Sequence, residues 1–417
     1  MPALWSSFEY QYSDNFSSVS SVSLLNMFLQ RSRLHPIDFT INDLSSSESL
    51  ADSLSSLTTN ENTNRWRHVA LADQESSAVN KILRTLIYGS RSLPELVSLS
   101  LDSSFDATLS FPLNCPNLRS LTLNWAPLDL EYARLTVTYL DLTYMSPKET
   151  LRLILCCPNI QVLVVRQPIE KWDLVAAPTN ITNIRCNTAK FTMQFGDIDS
   201  GALPKIYDQV IFPELIHLEL LELKWRDIEF QNYHVASLCS MLERSRSPLT
   251  HLTIHSVPFT SAELLQLLLC VSSVTTLDLE EPDTATYYHQ TVYLVLKYLA
   301  APHHCDQHDA RMEHNGHDHL TNEGDDDEEE LELSDSEEDD IAVPEGHCLL
   351  PRLKDLTVVI RPRNALLLKL IRSRWRPSLL EHSQQSQTSD NSRNSSAEPC
   401  TCLQKLRIHA AVENASI

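Results

Sequence analysis

Glycine is scarce in this sequence: six occur among 417 residues. Neither a GxxxxGKS/T loop nor a GxGxxG turn is present, so the usual sequence evidence for a phosphate-binding loop is missing. The GxSxG, HExxH and paired CxxC motifs of hydrolases and metal sites are absent as well. We therefore expect a protein that is not an enzyme, with no catalytic residues, no metal and no cofactor.

The sequence also lacks the features of a secreted or membrane protein. Residues 1–10 have neither the basic start nor the apolar run of a signal peptide, and the longest apolar runs, such as 264–271, are too short to cross a bilayer. Ten cysteines are scattered without a disulfide framework, which is typical of buried thiols in a reducing compartment. We expect an intracellular protein, and the absence of a dense Lys/Arg cluster leaves cytoplasm and nucleus open.

The charge is strongly acidic but unevenly distributed. The formal net charge is −22, and residues 323–340 contain thirteen acidic residues and no basic one. Without those thirteen charges the remaining chain stands at −9. Neither value favours binding to the phosphates of nucleic acids or to anionic lipid, so we expect no nucleic acid and no membrane among the partners.

What the chain does have is a recurring apolar phrase: an apolar residue, another three positions later, and a third two positions after that. Ten copies span 96–101, 118–123, 137–142, 160–165, 181–186, 215–220, 249–254, 274–279, 353–358 and 403–408. The first five copies begin 19 to 23 residues apart, which lies near or within the period of leucine-rich repeats. A repeat array is more often a binding surface than a catalytic pocket.

The phrase predicts a strand in which alternate side chains enter the core. Between strands, Ser146 with Glu149 and Thr260 with Glu263 have the spacing of capping boxes, which predicts helices after them. Helices are also expected over 79–87 and 288–299, and after Asn364. The predicted fold is α/β: a leucine-rich-repeat solenoid with parallel strands on the concave face and helices or irregular segments on the convex face.

Composition divides the chain into four parts. Residues 1–64 are Ser-rich and contain a helix and a strand, 65–301 hold irregular repeats opened by an atypical unit around Trp66, and 347–417 hold the last repeats. Between them, 302–346 is His-rich and then acidic, and a Ser/Gln/Asn-rich stretch interrupts the last part at 382–399; we expect both insertions to be disordered. The six histidines within 303–319 leave weak metal binding open as an alternative, although no rigid ligand spacing is present.

Three phrases near the start resemble a known family. PALWSSF (residues 2–8), LLNMFLQRSRLHPIDFTI (24–41) and NRWRHVAL (64–71), followed by irregular repeats, are similar to mushroom-type fungal F-box proteins. The resemblance implies the substrate-recognition part of a ubiquitin ligase, which binds a target through its repeats and a Skp1-type adaptor through its F-box. The F-box would precede Pro2, so we expect adaptor binding only if an upstream F-box exists; a scaffold without any ligase link is the alternative.

The residues between the core positions of each phrase are the candidate binding surface, because they face solvent on the predicted concave side. Exposed apolar side chains there would mark a contact patch for a protein target. We expect a monomer that binds a protein through the following residues: Tyr139, Asp141, Val162, Val164, Asn183, Arg185, His217 and Glu219.

Overall fold

The fold is seen in a computed structural model of the chain. The residues it describes are 2–11, 18–42, 56–73, 92–103, 109–110, 115–125, 128–129, 135–169, 184–195, 201–222, 234–257, 259–281, 349–360 and 405–410. The helices expected over 79–87, over 288–299 and after Asn364, and both insertions, lie outside these residues. None of the described helices has the length and apolarity needed to cross a bilayer.

Among the described residues, thirteen strands form one sheet, and every pairing in it is parallel. In chain order the strands are β1 Ser7–Gln11, β2 Ile37–Asn42, β3 Trp66–Asp73, β4 Ser98–Ser103, β5 Leu109–Ser110, β6 Ser120–Asn124, β7 Leu128–Asp129, β8 Tyr139–Thr143, β9 Val162–Arg166, β10 Ile184–Arg185, β11 Lys190–Phe195, β12 Val210–Ile211, β13 His217–Glu222, β14 His251–His255, β15 Thr276–Glu280, β16 Asp355–Ile360 and β17 Lys405–Ala410. Two short pairs, β5 with β7 and β10 with β12, stand apart from the main sheet, whose strands otherwise follow one another in chain order. The predicted α/β class with parallel strands is confirmed.

The apolar phrase accounts for the register of the sheet. Its second position aligns across all thirteen strands, from Phe8 through Leu121 to Leu406. In the copies that begin at Leu96, Leu118 and Leu215, all three apolar positions are buried, and they belong to one continuous core. Because side chains alternate along a strand, this row fixes which residues face away from the core.

One copy of the phrase was assigned to the wrong segment. Of residues 181–186 the structure describes 184–186, and there Ile184–Arg185 pairs with Val210–Ile211 in a two-stranded sheet rather than joining the main sheet. The main-sheet strand is β11, in which Phe191 and Met193 enter the core. In this unit the first position of the phrase is Thr188, which precedes β11. Thr188 is a buried polar residue whose hydroxyl lies 3.4 Å from the Ile160 carbonyl oxygen and 2.8 Å from the Cys186 sulfur.

The N-terminal segment is part of the sheet, so the expected boundary at residue 64/65 does not divide the fold. Strands β1 and β2 pair with each other and with β3. Helix α1, Ser18–Ser32, contributes Leu25 and Leu29 to the core, as its apolar pattern predicts. A chain of ring contacts covers this end of the core, with centroids 5.1 to 5.8 Å apart. It runs through Trp5, Phe28, Phe8, Phe39 and Trp66.

The other described helices are a 3-10 helix Pro2–Trp5, α2 Asn60–Thr63, α3 Pro147–Cys156, α4 Ala202–Tyr207, α5 Val235–Ser245 and α6 Ser261–Cys270. Both predicted capping boxes are present: Ser146 caps α3 with Glu149, and Thr260 caps α6 with Glu263. Buried residues of α3, α5 and α6, such as Ile154, join the same core as the strands. The helices therefore cover the apolar face of the sheet.

The assignment of β11 makes a stability prediction. Phe191 is fully buried and stacks on Phe212 with ring centroids 4.9 Å apart, so Phe191→Ala is expected to lower the free energy of unfolding by about 3–5 kcal/mol. Arg185→Ala, at an exposed position of the two-stranded sheet, serves as the control and should change it by less than about 0.5 kcal/mol. Urea unfolding followed by circular dichroism measures both, and equal effects would contradict the assignment.

Candidate functional site

The face of the sheet opposite the core, called here the open face, carries the side chains that alternate with the core row. Each of the ten main-sheet strands from β4 to β17 contributes two residues that flank its core positions: Ser98, Ser100, Ser120, Thr122, Tyr139, Asp141, Val162, Val164, Lys190, Thr192, His217, Glu219, His251, Thr253, Thr276, Asp278, Asp355, Thr357, Lys405 and Arg407. Small hydroxyls lie on β4 and β6, valines lie on β9, and larger charged or aromatic groups lie on β8, β11, β13 and β14. Chemical variety is therefore concentrated at the middle of the sheet.

Most of the predicted binding residues lie on this face, and two do not. Tyr139, Asp141, Val162, Val164, His217 and Glu219 occupy neighbouring positions on β8, β9 and β13. Asn183 lies outside the described residues. Arg185 is on the separate two-stranded sheet, so its expected place on the open face is wrong, and Lys190 with Thr192 stands there instead.

The expected apolar contact patch is also wrong in part. Val164 is only 5% exposed although it lies on the open face. In the register it sits between Asp141 and Thr192, which are themselves buried. Only Val162, which is half-buried, keeps apolar surface on β9. The middle of the open face is accordingly polar at its surface.

Arg166 organises the polar groups of β8, β9 and β11. Its guanidinium donates from Nε to Asp141 Oδ1 at 2.9 Å and from Nη2 to Oδ2 at 3.1 Å, a bidentate pair, and from Nη1 to Gln194 Oε1 at 2.8 Å. The Tyr139 hydroxyl donates to Asp141 Oδ2 at 3.2 Å. Bidentate charge-assisted bonds are among the strong ones in proteins, so these side chains are held in one arrangement.

The pKa shifts agree with this geometry. The hydrogen bond to Asp141 raises the pKa of Arg166 above its already high ordinary value. Burial, and next the charge of Asp141, raise the pKa of Tyr139. Arg166 therefore stays charged and Tyr139 stays a neutral donor throughout the physiological range.

A second group of contacts adjoins the first on β11 and β13. Glu219 accepts from Lys190 Nζ at 2.6 Å and from the Thr192 hydroxyl at 2.7 Å, and lies 3.3 Å from His217 Nε2. Burial opposes ionisation of Glu219, but the hydrogen bonds from Lys190 and Thr192 outweigh it and lower its pKa. Burial, partly offset by Glu219, lowers the pKa of His217, whose ring lies 5.6 Å from that of His251. At neutral pH, Glu219 is thus an anion and His217 is neutral.

We call the group formed by Tyr139, Asp141, Arg166, Lys190, Thr192, Gln194, His217 and Glu219 the central patch. A depression of about 850 Å³ borders it at the amino ends of the strands. Its lining includes Arg119, Asn159, Asn187, Lys190, Glu214 and His251. The central patch and the depression share Lys190 and His217, so one ligand is able to contact both.

The chemistry of these groups suits recognition. The carboxylates and cations of the central patch satisfy one another, and among the described residues no group of three or more His, Cys, Asp or Glu side chains is placed to hold a metal ion. The His-rich stretch at 303–319 lies outside them, and metal binding there stays a prediction. Donors and acceptors at fixed positions beside a polar depression are what a protein or peptide partner requires.

Arg166, Lys190, Thr192 and Gln194 were not predicted. Arg166 and Gln194 occupy a third outward position, directly after the residues that fill the third position of the phrase, and the phrase does not include it. Lys190 and Thr192 were missed because β11 was placed at 181–186. The sequence signal was available in the alternation of Phe191, Met193 and Phe195, whose spacing of two predicts a strand.

The fold and the open face together define the class of the protein. It is an α/β protein whose described residues form a thirteen-stranded parallel sheet with a polar open face. No protein-family model, curated protein or solved structure matches the chain significantly. The resemblance to F-box proteins thus rests on the three N-terminal phrases and the irregular repeats that follow them.

The Arg166–Asp141 pair makes a testable prediction. Asp141 is 6% exposed, so Asp141→Asn, which removes the anion facing Arg166, is expected to lower the free energy of unfolding by about 1–3 kcal/mol. Asp102 also accepts a hydrogen bond on the same side of the sheet, from Asn124 at 2.8 Å, but it is exposed. Asp102→Asn is therefore the matched control, with an expected loss below about 0.5 kcal/mol in the same urea titration. Indistinguishable losses would show that the central patch is not held by this pair.

Proposed function

We propose that this chain is a non-catalytic protein-interaction module that binds a protein partner on its open face, centred on the central patch. The observation that carries the proposal is the fixed network linking Asp141, Arg166 and Gln194 across three strands. Side chains already held in place lose little entropy on binding, which favours affinity. Tyr and Arg are, in addition, residues that dominate the energetics of protein interfaces.

The finer fold proposal is a leucine-rich-repeat solenoid, with the open face as its concave side. Two features support it: strands that follow one another in chain order in a single parallel sheet, and a phrase whose three positions are buried unit after unit. With Thr188 as the first position of its unit, the spacings from Ile160 and to Leu215 become 28 and 27 residues. Both lie within the range of leucine-rich repeats.

The size of the face indicates what a partner must cover. The six strands from β6 to β14 in the main sheet, at a spacing of about 4.8 Å and a length of about 17 Å, offer roughly 500 Å². A standard protein interface buries about 800 Å² on each partner. A folded partner must therefore extend over neighbouring strands or into the depression, whereas a peptide segment fits on the central patch alone.

The more specific proposal is that the chain is the target-binding part of a ubiquitin-ligase receptor of the F-box type. Its support is the resemblance of the N-terminal phrases, including the WRHVAL stretch that contributes Trp66, Val69 and Leu71 to the core. The alternative is a scaffold with no ligase link. Binding of a purified Skp1-type adaptor to the complete protein separates the two, since only a receptor of the F-box type binds the adaptor. If the adaptor does not bind, the scaffold proposal is the one that stands.

A photo-crosslinking amino acid tests the open face directly. Placed at His251, which is exposed on β14 beside the depression, it is expected to crosslink one discrete protein in cells of the source organism. The same amino acid at Gln266, exposed on α6, is the control on the helical side. Lys190→Glu combined with the His251 probe should reduce the crosslinked product about ten-fold, because it reverses a charge within the patch.

Two results would contradict the proposal. One is a product at Gln266 as abundant as that at His251, with the same partner. The other is a crosslinked product at His251 whose amount does not change with Lys190→Glu. A partner that does not depend on the central patch would be near His251 only by chance.

A further inference from the structure

Two cysteines face each other across neighbouring helices on the side of the sheet away from the open face. Cys239 lies in the middle of α5, and Cys270 is the last residue of α6. The Cys270 thiol donates to the Cys239 carbonyl oxygen, with sulfur and oxygen 3.5 Å apart, and the Cys239 sulfur lies 3.8 Å from the carbonyl oxygen of Gln266. Each sulfur therefore lies against the backbone of the other's helix, in the same gap between α5 and α6.

The two thiols also differ in acidity and in exposure. When Cys270 loses its proton, the Cys239 thiol can turn to donate to the resulting thiolate, and this hydrogen bond lowers the pKa of Cys270 and raises that of Cys239. Cys270 is half-buried, whereas Cys239 is 6% exposed. A thiolate with access to solvent beside a second, protonated thiol is the usual arrangement of an attacking and a resolving cysteine.

A second pair in the same protein lacks these features. Cys157 and Cys186 lie near each other at the ends of consecutive units, but they are only 1% and 2% exposed. Burial raises the pKa of Cys157 to about 12 and that of Cys186 to about 11. Buried protonated thiols are inert toward oxidants, so this pair is an internal control.

We propose that Cys239 and Cys270 form a reversible disulfide when the protein encounters a peroxide, joining α5 to α6. The Cys270 thiolate attacks one oxygen of hydrogen peroxide, an S–O bond forms as the O–O bond breaks, and the leaving hydroxide takes a proton to become water. The Cys239 sulfur, giving up its proton, then attacks the Cys270 sulfur, and the S–S bond forms as the S–O bond breaks and releases a second water. Two thiols are oxidised and one peroxide is reduced, so the step balances.

The disulfide would join two residues that are 31 positions apart and would close a segment that includes β14. It would tie together the helices α5 and α6 of two consecutive units. The inference is independent of what the open face binds, because it depends only on the helical side.

Peptide mapping tests the proposal on the folded full-length protein. Trypsin cuts after Arg226, Arg244, Arg246 and Lys297, which places Cys239 and Cys270 in separate peptides. After brief treatment with hydrogen peroxide, non-reducing mass spectrometry is expected to find these peptides joined, with about ten-fold more of this product than of the Cys157–Cys186 product. Dithiothreitol should reverse it. The experiment uses a protein in which serine replaces Cys305, Cys348, Cys400 and Cys402, the four cysteines outside the described residues, so that they cannot form competing disulfides.

Single variants separate the steps. In Cys239→Ala the resolving thiol is gone, so dimedone should label Cys270 as a sulfenic acid, whereas Cys270→Ala should show no labelling at Cys239. Circular dichroism confirms that each variant is folded. The proposal fails if folded protein yields no joined peptide, if Cys157 and Cys186 are oxidised to the same extent, or if dimedone labels Cys239 rather than Cys270.

Discussion

The alternation of buried and outward side chains along thirteen parallel strands is the constraint on which the rest of the structure depends. A one-residue slip of any strand would turn its core residues to solvent. The aligned row from Phe8 to Leu406 prevents this, because moving one buried Leu or Phe into water costs about 1.5–3 kcal/mol. The same row determines which residues form the open face, so the position of the candidate site follows from the core.

The strands turn at their ends almost without glycine. Trp125, Tyr144, Gln167 and Ser256 have positive φ angles near 50°, a conformation for which glycine is the default residue. Each donates its backbone N–H to a carbonyl on the neighbouring strand of the sheet. The hydrogen bond helps to offset the conformational cost, and it accounts for how these strands end in register without glycine at the turn.

Sequence patterns predicted the main-sheet strands in which all three positions of the phrase are apolar. They also predicted both capping boxes. They failed at β11, since Thr188 fills the first position with a hydroxyl that finds its partners only in the folded chain, while the apolar residues at 181, 184 and 186 imitate the phrase nearby. The outward residues next to each core position were likewise predictable. Their pairing was not: Asp141 and Arg166 are 25 residues apart, and only the order of strands in the sheet makes them neighbours.

The central claim is that one row of core residues sets both the sheet and the open face, and that β11 belongs to this row between β9 and β13. Native-state hydrogen exchange read by mass spectrometry tests it most directly. The account predicts that the backbone amides of 191–195 are as strongly protected as those of 163–166 and 218–222. Rapid exchange throughout 191–195, with strong protection at 181–186 instead, would contradict it.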